Sequence, residues 1–270
     1  MTLGVQCFSQ KEGAVSQNKY TAHNKGKFYF YWGGNRDVYS DSDIHFRGKD
    51  YDFTLNHVKA HDKPKGWHVD YVNPTRMTIP QTNFRAGYFI TDKYNISLGV
   101  DHMKYVMFQD RTVSYSGTYP DRGAYGEAIA EGNVLLTEDF LTFEHTDGLN
   151  YLNVEFSRVD DFSKYLGITD TDKIQFNFTG GVGAGVLYPK TNSHLLKNER
   201  HDDFHISGYG ISAKVGLNIT IYKYFFIQTE LKAGYIDMND IRTTPSPSDR
   251  ASQNFYFGES VIAFGGIFRI

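Results

Sequence analysis

The stretch FHISGYGISAKVGLNITIYKYFFIQTELKAGYID, residues 204–237, alternates between apolar and polar side chains over most of its length. Its first half places Ile211, Val215 and Leu217 on one face, with small or polar residues between them. The tripeptide YKY at 222–224 interrupts the pattern, which then resumes. A period of two residues is that of a β-strand, whose successive side chains point to opposite faces. The stretch therefore predicts two antiparallel strands joined by a tight turn.

The same alternation recurs along the chain and predicts eight strands, with bounds at 27–36, 82–91, 95–107, 151–160, 173–188, 204–221, 225–237 and 255–270. The links at 92–94, 161–172 and 222–224 are short or moderate, and those at 37–81, 108–150, 189–203 and 238–254 are long. In an up-and-down meander, alternate links lie at the same end, so all the short links share one end. The predicted fold is all-β, an up-and-down antiparallel barrel with long loops at one end.

Ten or twelve strands remain possible, because two of the long links carry strand-like runs of their own. These runs lie at 43–46, 51–58 and 134–145. A long link without any secondary structure is uncommon inside a compact domain. We expect the runs to prolong the barrel wall beyond the eight main strands.

Glycine indicates which face of each strand lines the interior. The polar face of the fifth predicted strand contains Gly181, Gly183 and Gly185, and the sixth strand repeats the pattern. Glycine inside a strand costs about 0.5–1 kcal/mol relative to alanine, so a convex surface in water gains nothing from it. On the concave inside of a narrow barrel, glycine leaves room for long side chains from neighbouring strands. The polar face is therefore predicted to point inward, and the apolar face to contact lipid.

The composition agrees with a membrane-spanning barrel. Aromatic residues make up 16% of the 270 residues, and Tyr and Phe (20 and 21) far outnumber the 7 prolines, a bias that favours strands. No run of about 18 apolar residues is present, so a spanning helix is excluded, whereas the half-apolar strands of a barrel are not. The net charge of −3 argues against nucleic acid as a partner.

The N-terminal residues are predicted to lie outside the barrel. Residues 1–10 begin with an apolar piece that ends at Cys7-Phe8-Ser9, and we interpret them as the shortened remnant of a signal peptide. Residues 11–26 form a polar segment, and residues 27–270 form a single barrel domain. Cys7 is the only cysteine, so no disulfide can form within the chain.

The third predicted strand changes phase. Ile96, Leu98 and Val100 alternate toward lipid, and the apolar role then passes to the odd positions 103, 105 and 107. One extra residue, a bulge near Asp101-His102, would reconcile the two halves. It would turn Asp101 or His102 inward, together with Lys104.

Ionisable side chains are thus predicted to point into the barrel from most of its strands. The residues are Arg85, Asp101, Lys104, Glu155, Lys214, Glu230, Lys232, Glu259 and Arg269. An unpaired charge buried in a low-dielectric interior is very costly, so acids and bases must pair. The interpretation is a network of ion pairs that plugs the lumen, because eight strands leave a lumen just filled by side chains.

The chain resembles the small eight-stranded outer-membrane barrels of Gram-negative bacteria, of the outer-membrane protein A, X and W type. Its last residues, FGGIFRI, resemble the C-terminal signal for insertion of such barrels, with Gly265, Phe268 and Ile270 at the glycine and two apolar positions. Ala263 stands where a polar residue is usual, and Ile270 replaces the usual terminal aromatic residue. The resemblance implies an outer-membrane location, contact with the lipid bilayer and lipopolysaccharide, and insertion by the outer-membrane assembly machinery.

The predicted role is structural or interactive, through large external loops that touch the envelope or a protein partner. One alternative is an enzyme that modifies lipid A, a class that resembling barrels include, with His102 or His145 beside Glu144 as candidate residues. The other alternative is a narrow channel for ions or small solutes. No G-x-S-x-G motif is present, and no spacing enforces a catalytic group.

His201 and His205 are weak candidates for a metal site. Four residues separate them, so they share one face of a strand, and Asp202 and Asp203 lie between them. A solvated polar rim at the start of a strand explains the same residues. No cofactor is expected.

Overall fold

The structure is a computed structural model that describes residues 23–64, 81–121 and 132–269. It contains fifteen strands: β1 (Lys27–Tyr39), β2 (Ser42–Arg47), β3 (Asp52–Val58), β4 (Ala60–His61), β5 (Thr82–Phe89), β6 (Tyr94–Met107), β7 (Thr112–Thr118), β8 (Asn133–Leu135), β9 (Leu141–Asp161), β10 (Ile174–Leu187), β11 (Lys190–Leu195), β12 (His201–Phe204), β13 (Gly208–Ile221), β14 (Phe225–Arg242) and β15 (Arg250–Arg269). A short 3₁₀ helix (Ser163–Leu166) precedes β10. Among these residues, no helix is long and apolar enough to cross a membrane.

Eight of the strands close into a ring in the order β1-β5-β6-β9-β10-β13-β14-β15. The ring closes because β15 pairs with β1 in antiparallel register, from Lys27 opposite Arg269 to Tyr39 opposite Phe257. All neighbours in the ring are antiparallel. These are the eight strands that the alternation predicts, and the predicted all-β, up-and-down barrel with eight strands is confirmed.

The links of the ring alternate in length, as predicted. β5–β6, β9–β10 and β13–β14 are joined by short connections at the end where β1 begins and β15 ends. The tightest of them is the three-residue link 222–224, in which Tyr222 and Lys223 are both in the left-handed backbone region (φ of 50° and 67°), as the central residues of a type I′ turn are. The long links lie at the opposite end, which we call the external end.

The exterior of the ring is a continuous apolar surface. Outward side chains on β13 and β14 include Leu217 and Leu231, which are 52% and 65% exposed. Tyr222, Tyr224 and Phe225 mark one edge, and aromatic side chains of the external end mark the other, among them Tyr188, Tyr209 and Tyr256. A belt of this kind between two aromatic edges fits a bilayer. The predicted orientation of the two faces agrees with this arrangement.

The predicted change of phase in the third strand is wrong. Met103, Tyr105 and Met107 are fully buried and point inward, in phase with Asp101. The strand keeps its alternation, and the interior changes from polar to apolar as it leaves the membrane level. The irregularity lies later than predicted and on β9, where the five residues from His145 to Leu149 face only the three residues from Met103 to Tyr105 on β6.

The long links carry the strands that prolong the wall. β2, β3, β7 and β8 extend the sheet from the external end of β15, and β11 pairs with the upper part of β9. The predicted runs at 43–46 and 51–58 correspond to β2 and β3, and the run at 134–145 is divided between β8 and β9. The strand predicted at 204–221 begins only at Gly208 in the structure. Residue 204 instead ends β12, which pairs with β11.

Candidate functional site

The middle of the lumen holds a buried group of charged side chains, which we call the lumen cluster. Its members are Arg85, Asp101, Glu155, Lys214, Glu230, Lys232 and Glu259. They come from β5, β6, β9, β13, β14 and β15, and every one is at most 7% exposed. The alternation places these residues on the inward face of their strands, and closure of the ring brings them together.

Glu155 lies at the centre of the lumen cluster and contacts all three of its cations. Its carboxylate lies 2.9 Å from Nη2 of Arg85, 2.6 Å from Nζ of Lys214 and 3.0 Å from Nζ of Lys232. Lys214 also contacts Glu230 at 2.7 Å. Each of these charges therefore has an opposite charge within contact distance, as burial in a low-dielectric interior requires.

Asp101 connects the remaining members. Its two carboxylate oxygens lie 2.6 Å from Nζ of Lys232 and 3.4 Å from Nη2 of Arg85. Glu259 is held more loosely, with Lys232 at 3.6 Å. Asn83 donates hydrogen bonds to Asp101 at 2.7 Å and to Glu259 at 2.8 Å, and so joins the two carboxylates.

Two members of the predicted network lie elsewhere. Lys104 is on the opposite face of β6 from Asp101 and forms no ion pair with the carboxylates of the lumen cluster. Arg269 is exposed at the mouth opposite the external end, where it donates a hydrogen bond to the carbonyl of Lys25 at 2.9 Å. Lys104 was expected to point inward because the phase of β6 was predicted wrongly. Arg269 lies outside the lumen cluster because it is the last residue of β15.

Sequence reasoning missed two inward residues of β1. Tyr31 accepts a hydrogen bond from Nε of Arg85 at 3.1 Å and donates one to Glu230 at 3.2 Å. Asp37 is buried and lies directly opposite Glu259. The alternation of β1 contains the signal for both residues, but the predicted strand ended at Arg36, one residue before Asp37.

Above the lumen cluster, the interior is filled by an apolar core that we call the external core. Ring strands contribute Met103, Tyr105, Tyr151, Leu187, Ile236, Met238, Phe255 and Phe257, and the loop strands β2 and β3 contribute Ile44, Phe46, Phe53 and Leu55. All are at most 3% exposed. The external strands β2 and β3 therefore share one core with the ring.

Below the lumen cluster, the barrel opens into a polar vestibule with about 660 Å³ of empty space, its open mouth included. Its wall carries a chain of amides in which Asn177 donates to Asn218 at 3.1 Å and Asn218 donates to Gln228 at 2.9 Å. Lys214 forms part of its inner end. The lumen thus has three layers: an open vestibule, a charged middle and an apolar top.

The two candidate catalytic histidines, His102 and His145, are each bonded to a polar side chain of a neighbouring segment. His145 is fully buried in the external core, where its Nδ1 lies 2.9 Å from the Thr191 hydroxyl, and burial lowers its pKa to about 3. His102 is bonded to the side chain of Asn150 at 2.7 Å. In residues 23–64, 81–121 and 132–269, no serine hydroxyl is hydrogen-bonded to a histidine ring.

The candidate metal ligands are held apart. His201 is bonded to the carbonyl of Thr191 at 3.1 Å, and His205 is bonded to Asp240 at 2.8 Å. Within the described part of the chain, no three His, Cys, Asp or Glu side chains converge to hold a metal ion. The side chain of His205 is 30% exposed and fits the predicted solvated rim, whereas His201 is only 7% exposed and does not.

The residues of the predicted insertion signal lie at the end of β15. Phe268 points outward and contacts Phe28 and Phe30, with ring centres 6.5 and 6.1 Å apart. Gly265 faces inward, and a Cβ there would lie 2.3 Å from the ring of Phe226. Ile270 and residues 1–22, which include the predicted signal-peptide remnant, lie outside the described residues.

No protein-family model matches the sequence. No curated protein matches it either. Similar solved structures include the outer membrane protein OprG from Pseudomonas aeruginosa, at 11% identity and a TM-score of 0.36 over 92% of this chain and 98% of that one. Ail of Yersinia pestis, in complex with the heparin analogue sucrose octasulfate, is 9% identical, with a TM-score of 0.34 over 90% and 99%. The outer membrane protease OmpT from Escherichia coli is 7% identical, with a TM-score of 0.34 over 93% and 100%.

All three TM-scores are low, so the fold of this chain is defined by its own strand pairing. The ring of eight antiparallel strands is closed, and its outer face is apolar between two aromatic edges. A closed ring leaves no unpaired strand edge in hydrocarbon, which is the condition for spanning a membrane with strands. The chain folds as a closed, eight-stranded antiparallel β-barrel with the outer surface of a transmembrane barrel.

Proposed function

We propose that this protein is a closed barrel of the bacterial outer membrane, whose role is to hold a folded external extension at the cell surface. The extension, made of the strands outside the ring, is the part that contacts lipopolysaccharide, the envelope or a protein partner. The observation that carries the proposal is the external core. Side chains of the ring and of β2 and β3 share it, so the loops form a fixed surface above the membrane.

Closure of the lumen supports a structural role over transport. The lumen cluster fills the middle of the barrel with paired charges, and the external core lies directly above it. A solute would have to displace both layers, and breaking a buried ion pair costs about 3–5 kcal/mol. In the described part of the chain, the open vestibule lies at the end of the short connections, which is the periplasmic end in this proposal.

The outward surface of the extension suits contact with a polar partner. Asp43 and Arg47 on β2 and Asp52 on β3 are exposed, and β7 is exposed over most of its length. Mixed charge over a rigid scaffold supports recognition of lipopolysaccharide head groups or of a protein surface. We also propose that the C-terminal strand, with Gly265, Phe268 and Ile270, is recognised by the outer-membrane assembly machinery during insertion.

The first experiments test for conductance and for modification of lipid A. The protein, refolded in detergent and checked by its heat-dependent mobility, is inserted into planar bilayers, and lipid A from cells that express it is analysed by mass spectrometry. We expect no steady conductance and an unchanged lipid A mass. The matched variant Glu230→Gln should also be silent, because Tyr31 and the external core still close the lumen.

If the wild type conducts ions and Glu230→Gln changes that conductance, the protein is a channel and the proposal is wrong. If expression changes the mass of lipid A and His102→Ala abolishes the change, the protein is an enzyme that modifies lipid A and the proposal is wrong. If both results are negative, binding of purified lipopolysaccharide to the refolded protein is measured with the wild type and with Arg47→Ala. The proposal predicts weaker binding for the variant, and wild-type binding to neither lipopolysaccharide nor an envelope protein would count against it.

A further inference from the structure

The vestibule below the lumen cluster is lined by positive charge and not by negative charge. Three lysines, Lys27, Lys214 and Lys223, are part of its wall, and none of the described residues that line it is Asp or Glu. Its empty space of about 660 Å³, the open mouth included, is within the range of small-molecule pockets, about 300–1,000 Å³. The vestibule therefore has the size and the charge of a site for a small anion.

The charge that is available to a ligand lies at the mouth of the vestibule. At the inner end, Lys214 is already held by Glu155 at 2.6 Å and by Glu230 at 2.7 Å. At the mouth, Lys27 on β1 is the register partner of Arg269 on β15. Like charges directly opposite on neighbouring strands repel each other. An anion bound between these two cations would relieve that repulsion.

The two carboxylates near Lys27 have partners of their own. Asp172 forms an ion pair with Lys223. Asp92 accepts a hydrogen bond from the backbone N–H of Lys25 at 3.1 Å. Neither carboxylate lines the vestibule. The mouth is therefore suited to an external carboxylate or phosphate, the groups that Lys and Arg bind most strongly.

Two buried hydroxyl groups in the vestibule wall have no hydrogen-bond partner in the described chain. They are Oγ of Ser157 and Oγ1 of Thr179, and each residue is only 4% exposed. Ser157 lies opposite Gly181 in the register of β9 and β10, and Thr179 is two residues before Gly181 on the same face. The two hydroxyls are therefore diagonal neighbours on one wall. A buried polar group without a partner is costly, so a ligand that bonds to both would be stabilised.

Side-chain amides add N–H donors to the same wall. Oδ1 of Asn95 accepts a hydrogen bond from the Tyr29 hydroxyl at 2.8 Å, which leaves Nδ2 of Asn95 as a donor. The oxygens of Asn218 and Gln228 already accept bonds within the amide chain, whereas each of their nitrogens has a second hydrogen. These donors and the two hydroxyls suit a ligand that is rich in oxygen atoms.

Another part of the vestibule wall is apolar. The ring of Tyr29 lies 5.6 Å from that of Phe89 and 6.5 Å from that of Phe226, and all three residues line the cavity together with Ile267. An apolar surface combined with a few hydrogen-bonding groups is typical of small-molecule sites. The C–H face of a sugar ring can pack on such a surface while its hydroxyl groups form hydrogen bonds elsewhere.

We propose that the vestibule binds a phosphorylated sugar. Its phosphate lies at the mouth, between Lys27 and Arg269, and its hydroxyl groups bond to Ser157, Thr179 and the side-chain amides of the wall. A ligand held there does not cross the barrel, because the lumen cluster closes the inner end of the vestibule. The site is independent of the external extension, so it adds a second function at the other end of the barrel.

The test uses the full-length protein refolded in detergent with 150 mM NaCl held constant (about physiological ionic strength). Glucose 6-phosphate is titrated by calorimetry, and inorganic phosphate and glucose serve as probes that each lack one half of the molecule. We expect a Kd of about 1 mM or below for glucose 6-phosphate, and binding at least about fivefold weaker for either partial probe. The proposal is overturned if glucose 6-phosphate does not bind at about 10 mM, or if a partial probe binds equally well.

Two variants test the two halves of the site. Lys27→Gln should weaken the binding of glucose 6-phosphate at least about tenfold, because a hydrogen bond to a charged group is lost. Thr179→Val should weaken it about threefold or more and leave the binding of inorganic phosphate unchanged, because only a hydroxyl is removed. Thr179→Val should also fold, since that hydroxyl has no partner in the described chain. Wild-type affinity in either variant would overturn the proposal.

The matched controls are Lys93→Gln and Thr229→Val. Lys93 lies at the same end of the barrel but pairs with Asp160 at 3.0 Å and does not line the vestibule, and Thr229 is on the outer face of β14. Both should keep the wild-type affinity, and an effect of Lys93→Gln as large as that of Lys27→Gln would overturn the proposal.

A phospholipid head group carries the same phosphate chemistry, so the last measurement adds phosphatidylglycerol to the micelles. An unchanged Kd for glucose 6-phosphate supports a free sugar phosphate as the ligand. A higher apparent Kd in the wild type, but not in Lys27→Gln, would assign the site to a lipid head group instead and overturn the proposal.

Discussion

A Cβ atom at Gly183 would lie 2.8 Å from Cγ of Glu155 and 3.0 Å from Oγ of Ser212. Gly99 has the same role for Arg85, whose guanidinium carbon would lie 2.7 Å from an added Cβ. The glycines on the inward face therefore make room for the residues of the lumen cluster. β10 contributes no charge to the cluster, and its inward glycines provide part of this space.

Replacing Gly183 by alanine tests this space directly. Gly183→Ala should lower the free energy of unfolding by about 1–3 kcal/mol, because the new methyl group forces Glu155 and Ser212 to move. Gly180→Ala on the same strand is the control, since its nearest neighbour, the carbonyl oxygen of Lys214, is 3.7 Å away. The control should be neutral or slightly stabilising. Urea unfolding in detergent measures both, and equal effects would contradict the glycine argument.

His145 predicts how the stability of the external core depends on pH. Burial lowers its pKa to about 3 from an ordinary value of 6.5, so the unfolded chain binds more protons between these values. Stability should be constant above about pH 6.5 and fall as the pH decreases below it, by about 2 kcal/mol at pH 5. His145→Gln should remove this part of the dependence. Urea unfolding at pH 7.5 and 5 checks it, and an unchanged pH dependence in the variant would contradict the assignment.

At the scale of strands, the sequence predicted the ring well because each ring strand has lipid on one face and a polar lumen on the other. Alternation alone then locates the strand and orients it. The prediction failed on β6, where the interior changes from polar Asp101 to apolar Met103 and Tyr105. Beyond Asp101 the inward face becomes apolar and the other face carries His102 and Lys104, so the exchange of polar and apolar faces resembles a slip in phase. The start of β13 was misplaced because β12 pairs with β11, a contact that alternation does not encode.

Phe46 on β2 tests whether the external strands share a core with the ring. Its ring packs on Phe53 and Phe143, at centre distances of 5.3 and 5.7 Å. Phe46→Ala should destabilise the extension by about 3–5 kcal/mol and expose β2 and β3 to protease added to intact cells. Arg47→Ala, the adjacent exposed position, is the control and should leave the extension resistant. If Phe46→Ala is equally resistant, the external strands do not depend on this core.

At the scale of the whole molecule, the three layers of the lumen are what supports the proposed structural role over transport. The sequence predicts most of the residues of the lumen cluster, but it does not predict which of them form ion pairs with each other. Glu155 contacts three cations from β5, β13 and β14, and this convergence exists only after the ring closes. Asp37 was missed for a simpler reason, because β1 is longer than its predicted bounds.

The central claim is that the apolar face of each ring strand contacts lipid and the polar face lines the lumen. It is tested most directly by spin labels placed one at a time along β13 in a Cys7→Ser background, in protein reconstituted into bilayers. Labels at Val215, Leu217 and Ile219 should collide readily with dissolved oxygen and poorly with a water-soluble nickel complex. Labels at Asn218 and Thr220 should show low oxygen accessibility, so that accessibility oscillates with a period of two residues. Low oxygen accessibility at Leu217, or the same accessibility at Leu217 and Asn218, would contradict the account.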